Sequence, residues 1–223
     1  MQESALKLGH SQLQHGRIIR DMVNLDLIRK WLRICEHTHG EACESDWWRG
    51  NGEGNSLPST VRMIDVQEMM IVSVAPGCRY IALSYLWGGV GESYWTSTEN
   101  LPTRSRPQGL PISILPGTIT DSILLTRLLG ERYLWVDALC IVQDDPADKV
   151  IQIGVMERIY GFALLTIFAA GGTTAHAPLP GLRANTREVH QRIENVQNLL
   201  FSAALPGPDE AIARTAWNTR GWT

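Results

Sequence analysis

Tyr80-Ile-Ala-Leu-Ser-Tyr-Leu-Trp-Gly88 and Tyr133-Leu-Trp-Val-Asp-Ala-Leu-Cys-Ile-Val-Gln143 are the two stretches that decide the fold of this chain. Each is a short apolar run that changes to polar residues or glycine at its C-terminal end. A third apolar run, residues 163–169, ends at a pair of glycines. Near-continuous apolar strands are typical of a parallel sheet that is covered on both faces. We therefore predict strands over 80–87, 133–141 and 163–169.

Helices are predicted between these strands. The first runs over about 119–129, with Thr118 and Asp121 at capping-box spacing and Gly130 as its stop. The second runs over about 147–160 and is opened by an Asp-Asp-Pro sequence. Strand, helix, strand, helix and strand in this order indicate an α/β fold with a parallel sheet, flanking helices and right-handed crossovers.

Two further segments lie outside this alternation. The stretch 88–114 is predicted to be a long irregular loop, and 187–203 a helix near the end of the chain.

The first 75 residues are predicted to be an N-terminal extension. It begins as a polar, loose arm, continues as a helix over 24–36 with apolar residues at helical spacing, and ends in a β-hairpin over 61–75. The main domain is then expected to occupy 76–223.

Composition limits the classes of function. The 223 residues include 44% hydrophobic and 19% charged residues, which is ordinary for a globular protein. A net charge of −3 and a pI near 6.1 favour neither nucleic acid nor anionic membranes as partners. No apolar run reaches the roughly 18 residues of a membrane span, and no secretion signal begins the chain. Four cysteines without such a signal indicate reduced thiols, so we expect a cytoplasmic protein.

Asp137 is the leading candidate for a functional residue. It lies among Trp135, Val136 and Leu139, where an unpaired carboxylate would cost several kcal/mol. Two interpretations stay open: a structural acceptor that fixes a neighbouring strand or loop, or a group of a ligand site. Gln143 follows at the end of the same run, so polar groups converge there.

The glycine-rich turn after the first strand is the second candidate. Ser84, Tyr85, Trp87 and Gly88 lie at the end of the sheet where α/β proteins bind ligands. The turn has no phosphate-loop spacing, so a loop at the sheet rim is favoured over a phosphate site. Ser84 has no Gly-x-Ser-x-Gly context, which argues against a hydrolase nucleophile.

A zinc site is not expected. Cys35, His37, His39 and Cys43 form a Cys-x-His-x-His-x3-Cys pattern that matches no standard finger or ribbon. We therefore predict helix-end packing for these residues and no metal.

Five sequence blocks, taken in order, resemble the fungal heterokaryon incompatibility (HET) domain. They are Tyr-x-Ala-Leu-Ser-Tyr-x-Trp-Gly (80–88), Leu-Pro-x-Thr-Ile-x-Asp (115–121), Tyr-Leu-Trp-x-Asp-x-Leu-Cys-Ile-x-Gln (133–143), Met-x-x-Ile-Tyr (156–160) and Arg-Gly-Trp-Thr (220–223). Single blocks are weak signals, but five in order over about 140 residues are specific.

The resemblance implies an effector of fungal non-self recognition that triggers programmed cell death, usually joined in one chain to a sensor domain that is not visible here. HET domains are thought to be distantly similar to Toll/interleukin receptor (TIR) domains, which implies a flavodoxin-like parallel sheet. Some TIR domains cleave NAD with a glutamate. By that analogy Glu157 and Asp137 become catalytic candidates, with NAD as a substrate and no cofactor implied. A non-catalytic module that works with protein partners or by self-assembly is the other alternative.

The family usually continues beyond the closing block through a Gln-Glu pair. The resemblance therefore implies a domain that is truncated at its C-terminus.

Overall fold

The computed structural model describes residues 18–39, 57–75, 77–89, 92–188, 191–203 and 205–219. Its helices are α1 (Leu25–His37), α2 (Leu101–Arg104), α3 (Gly117–Leu129), α4 (Asp137–Cys140), α5 (Pro146–Gly154), α6 (Met156–Phe162) and α7 (Pro208–Ala213). Its strands are β1 (Arg62–Asp65), β2 (Met70–Ser73), β3 (Tyr80–Ser84), β4 (Tyr133–Trp135), β5 (Leu165–Phe168), β6 (Ile193–Val196) and β7 (Leu199–Ser202). No helix among these is long and apolar enough to cross a membrane.

A five-stranded sheet in the order β2-β1-β4-β3-β5 forms the centre of the fold. β3 pairs in parallel with β4 on one side and with β5 on the other. This confirms the predicted parallel arrangement of the three strands. The fold class is α/β as expected, but the sheet is mixed rather than parallel throughout, because β1 pairs antiparallel with both β2 and β4.

The predicted hairpin is present as β1 and β2, and it continues the main sheet. Asp65 at the end of β1 accepts hydrogen bonds from Arg132 Nε at 2.9 Å and from two backbone N–H groups of the following turn. Arg62 forms an ion pair with Asp148 and donates from Nε to the carbonyl of Cys140 at 3.0 Å. These contacts join the hairpin to the segments on either side of β4.

The core lies where the sheet meets α3 and α6. Trp135 and Cys140 are fully buried, as the apolar pattern predicts. Tyr80 donates from its hydroxyl to the carbonyl of Ile159 at 2.5 Å, and Trp135 packs edge-to-face on Tyr160. These contacts hold α6 against one face of β3 and β4.

The strand predicted over 133–141 is wrong in its second half. β4 ends at Trp135, and the chain turns at once into α4, with Cys140 N bonded to Val136 O at 2.7 Å and Ile141 N to Asp137 O at 3.1 Å. Three consecutive residues of α4 are completely buried. A run that is apolar on every side fits a buried helical turn as well as a buried strand, so hydrophobicity could not separate the two. Asp137 therefore begins a helix and does not lie within a strand.

The helix predicted over 147–160 is divided in two. α5 ends at Gly154, a weak helix former, and Val155 leaves helical geometry with φ −116° and ψ 7°.

The predicted capping box at 118 and 121 is wrong, because α3 begins at Gly117 after Pro116 and the two side chains bind another loop. The stop at Gly130 is confirmed by its φ of 86°.

The helix predicted over 187–203 is also wrong. β6 and β7 form a hairpin there, joined by Gln197 and Asn198 with φ values of 51° and 64°. Two consecutive residues with positive φ match the twist of a two-residue hairpin turn, and asparagine tolerates this conformation.

The predicted loop over 88–114 contains α2 and two short 3-10 turns, Glu92–Tyr94 and Ile112–Ile114.

Candidate functional site

Side chains from the segments that follow β3 and β4 meet at the carboxyl end of these two strands. The register pairs Tyr80 with Tyr133 and Ala82 with Trp135. The residues that follow each strand, Tyr85 to Gly88 and Val136 to Asp137, therefore emerge at the same edge of the sheet. Open α/β sheets bind ligands at this edge.

Trp87 and Asp137 form the central contact of this site. The indole Nε1 of Trp87 lies 3.1 Å from both carboxylate oxygens of Asp137. The backbone N–H of Ala138 donates to Asp137 Oδ1 at 2.7 Å. Both Trp87 and Asp137 are half-buried, and a carboxylate at the first residue of a helical turn suits the partial positive charge there. The carboxylate is thus held in one orientation at the rim of the sheet.

Two tyrosines lie next to the contact between Trp87 and Asp137. Tyr85 and Tyr94 are both buried, and the Tyr85 hydroxyl faces Asp137 and Tyr94. Burial raises the pKa of Tyr85 well above its ordinary value, and the neighbouring Asp137 carboxylate and Tyr94 add to this effect. Tyr85 therefore stays a neutral phenol beside the carboxylate.

The segment after the glycine turn supplies residues that the sequence analysis did not single out. Trp95 packs on Trp87 with ring centroids 4.9 Å apart, and on Tyr94 at 6.4 Å. Its indole nitrogen is buried without a hydrogen-bond acceptor among the described residues. The adjacent aromatics at 94 and 95 were the available signal, but the stretch was predicted to be an irregular loop.

Thr96 and Arg104 hold this aromatic segment against α4. Thr96 N bonds to Ala138 O at 3.0 Å, and Thr96 Oγ1 donates to Leu139 O at 2.7 Å. The buried guanidinium of Arg104 donates to Tyr94 O at 2.8 Å and to Thr96 Oγ1 at 3.0 Å. Burial lowers the pKa of Arg104. No sequence pattern pointed to Arg104, since its role follows from its burial.

Gln143 lies next to Asp137 but contacts its backbone. The amide Nε2 of Gln143 donates to the carbonyls of Asp137 and Ile141, each at 3.1 Å. Its own N–H bonds to Thr96 O at 2.7 Å. The contacts of this amide thus close the turn that presents Asp137.

Ser84 takes part in a different contact. Consecutive strand residues project to opposite faces of a sheet. Ser84 Oγ accepts a hydrogen bond from Trp217 Nε1 at 3.1 Å, whereas Tyr85 faces Asp137. The structure therefore brings together Tyr85, Trp87, Asp137 and Gln143, and places Ser84 beside a C-terminal tryptophan.

Gly88 is fixed by a close approach of the chain. It has a φ of 67°, and a Cβ added to it would lie 2.5 Å from Thr174 Cα. Ala175 N bonds to Trp87 O at 3.3 Å, and Thr118 N bonds to Ala175 O at 2.9 Å. The loop after β5 thus packs directly over the glycine turn.

α3 anchors this loop through the residues predicted to form a capping box. Thr118 Oγ1 donates to Ala177 O at 2.6 Å. Asp121, which is buried, accepts from Leu179 N at 2.8 Å and pairs with Arg183 at 2.8 Å. The block at 115–121 therefore positions the loop after β5, which packs over the glycine turn.

Glu157 lies on α6 with an exposed side chain. The buried residue of that helix is Ile159. The catalytic role of Glu157 remains a prediction from the analogy with TIR domains.

No group of three or more potential metal ligands occurs in the part of the chain that the structure describes. Cys43 lies outside the described residues, so the expectation of no zinc at Cys35 to Cys43 stays a prediction.

Comparison with known proteins identifies the family. The model of the heterokaryon incompatibility protein (HET) family matches residues 80–223, well over half of the chain. This chain belongs to the HET family. Four of the five blocks lie in the described part of the HET domain, and the closing block at 220–223 lies outside it.

A HET relative is "Heterokaryon incompatibility protein 6, OR allele" of the fungus Neurospora crassa. It is 32% identical over 100 residues, which cover 40% of this chain and 14% of the relative. The chain thus spans only a small part of that relative's length. No solved structure matches this HET chain.

Proposed function

We propose that this HET domain acts in the cytoplasm as an effector of fungal non-self recognition, and that its activation triggers programmed cell death. Family membership and the name of the Neurospora crassa relative support the general role. The contact between Trp87 and Asp137 supports the location of the effector site.

This contact joins two family blocks that are 50 residues apart in the chain. If Asp137 has only a structural role, its side chain needs only to accept hydrogen bonds, and the amide oxygen of asparagine can do this in part. An effector site that uses charge needs the carboxylate itself. Asp137→Asn therefore separates the two interpretations, because it removes the charge while keeping the size of the side chain.

The test is inducible expression of a full-length HET relative that carries this block in a fungal host. We expect the wild type to kill the host and Asp137→Asn to lose killing, at equal protein level and with a folded HET domain. Glu157→Gln is the companion variant on α6. A folded Asp137→Asn protein that kills as well as the wild type would refute the site.

NAD hydrolysis is a second candidate, favoured by the chemistry around Asp137. The nicotinamide ring of NAD carries a positive charge, and aromatic faces together with a carboxylate are the groups that attract such a cation. Trp87 donates to the Asp137 carboxylate, and Trp95 packs on Trp87, at the edge where open α/β sheets bind ligands.

Quantifying NAD and nicotinamide after incubation with the purified chain tests this candidate. Consumption of NAD that is lost in Asp137→Asn or Glu157→Gln would support an enzyme. Killing in cells without any turnover of NAD would instead favour a module that acts through partners or self-assembly.

A further inference from the structure

Residues 205–219 form a segment that we call the C-terminal strap. It contains α7 and a 3-10 turn, Ala216–Thr219. Of its described side chains, Trp217 is the one that is buried, with 8% exposure, while the side chains of 209–214 are all exposed. Few buried apolar contacts are typical of the less stable parts of a fold, and Trp217 supplies the buried one among the described side chains of the strap.

The hydrogen bonds described within the strap are local. Thr215 N bonds to Ile212 O at 2.9 Å, and Asn218 N to Thr215 O at 3.2 Å. The ion pair of Arg214 with Glu210 lies on the surface, where such pairs contribute little. Trp217, in contrast, reaches the sheet across 133 residues of sequence.

Ser84 and Phe168 receive the Trp217 ring, and we call them the indole site. Ser84 Oγ lies 3.1 Å from the indole nitrogen, and Phe168 packs edge-to-face at a centroid distance of 5.1 Å. The register pairs Ser84 with Phe168 at the carboxyl end of β3 and β5. Phe168 remains 57% exposed with Trp217 in place, so the indole site opens towards solvent.

We propose that the C-terminal strap is a detachable cover of the sheet edge, and that the indole site is a binding site for a planar aromatic ring with an N–H donor on its edge. Trp217 occupies that site in the closed state. The Ser84 oxygen selects the N–H group, and Phe168 selects the ring. The strap covers the carboxyl end of β3 and β5, and only its relation to the effector site rests on the proposed function.

Hydrogen exchange of the wild-type chain tests the detachable cover. We expect amides of 208–219 to exchange through a local opening, at denaturant concentrations that leave β1 and β4 protected. Trp217→Ala should raise exchange in the strap at least tenfold without changing β1 or β4. The matched control is Ile212→Ala, in the same strap and already 37% exposed, which should leave exchange unchanged.

Strap amides that exchange only together with β1 and β4 in the wild type would overturn the proposal. The same holds if Trp217→Ala loosens β4 as much as the strap, because Trp217 would then be part of the central core.

Ligand binding to the Trp217→Ala variant tests the indole site, with indole and 1-methylindole as probes. One neutral hydrogen bond contributes about 1 kcal/mol, so indole should bind about fivefold tighter than 1-methylindole. Adding Ser84→Ala should remove this preference. Equal binding of the two probes, or no binding of either, would overturn the assignment. Neither readout involves killing, so a failure here is distinct from a failure of the proposed function.

Discussion

The indole N–H of Trp87 donates to both carboxylate oxygens of Asp137, each at 3.1 Å. This contact connects the turn after β3 to the turn after β4. It explains how a carboxylate that follows three buried residues is tolerated, because hydrogen bonds and partial exposure offset the cost of burial. The same contact keeps the carboxylate at the carboxyl end of the strands, where Asp137 is half-buried.

Replacement of Trp135 by alanine tests the packing of the central sheet. Trp135 is fully buried against Tyr160, so Trp135→Ala should lower the free energy of unfolding by about 3–5 kcal/mol. Trp31→Ala, at a residue that is 52% exposed on α1, is the control and should cost under about 1 kcal/mol. Chemical denaturation measures both, and similar losses would contradict the described packing.

Substitutions of two adjacent glycines test the packing of the loop after β5 over the glycine turn. Gly88 and Gly89 have φ values of 67° and 69°, so alanine costs about 1–2 kcal/mol at either one. Only at Gly88 does the added Cβ meet Thr174, and forcing such a contact costs about 1–3 kcal/mol more. Gly88→Ala should therefore be the more destabilising variant in denaturant unfolding. Equal losses would mean that the loop after β5 does not pack on Gly88.

Asp65 predicts a dependence of stability on pH. Burial alone would raise the pKa of Asp65, but hydrogen bonds from Arg132 and from the N–H groups of Glu68 and Gln67 outweigh it and hold that pKa below its ordinary value. The folded state then binds fewer protons than the unfolded state, so this stability is present above about pH 3.9 and is lost as pH falls through the folded pKa.

Unfolding measured between pH 2 and pH 6 checks this prediction. Asp65→Asn should be less stable at pH 6 and should show a shallower loss of stability below about pH 4. Asp26→Asn is the control, because Asp26 pairs with Arg29 on the surface of α1, where such a pair contributes little. An unchanged acid slope in Asp65→Asn would contradict the assignment.

The three parallel strands were predictable because their apolar runs are bounded by polar or glycine residues. The buried turn α4 was not, since Ala138, Leu139 and Cys140 are apolar in a helical turn as they would be in a strand. The hairpin of β6 and β7 was not predicted, because its turn at Gln197 and Asn198 contains no glycine or proline to mark it, although both residues adopt positive φ.

The site could be predicted only where polar residues interrupt an apolar run. Asp137 and Tyr85 follow buried strands, and the structure brings them together. Arg104 and Trp95 belong to a segment without clear periodicity, and they reach the site through tertiary contacts with Thr96 and Trp87. The contact of Ser84 with Trp217 joins residues 133 positions apart, which no local pattern shows.

A double-mutant cycle on Trp87 and Asp137 in the killing assay is the most direct test of the central claim, that this pair acts as one functional unit. Trp87→Phe keeps an aromatic ring and removes the N–H, and Asp137→Asn removes the charge. At equal levels of folded protein, we predict that each single variant reduces killing. The double variant should be no more impaired than the more impaired of the two single variants. Normal killing by either single variant, or losses that simply add in the double variant, would contradict the claim.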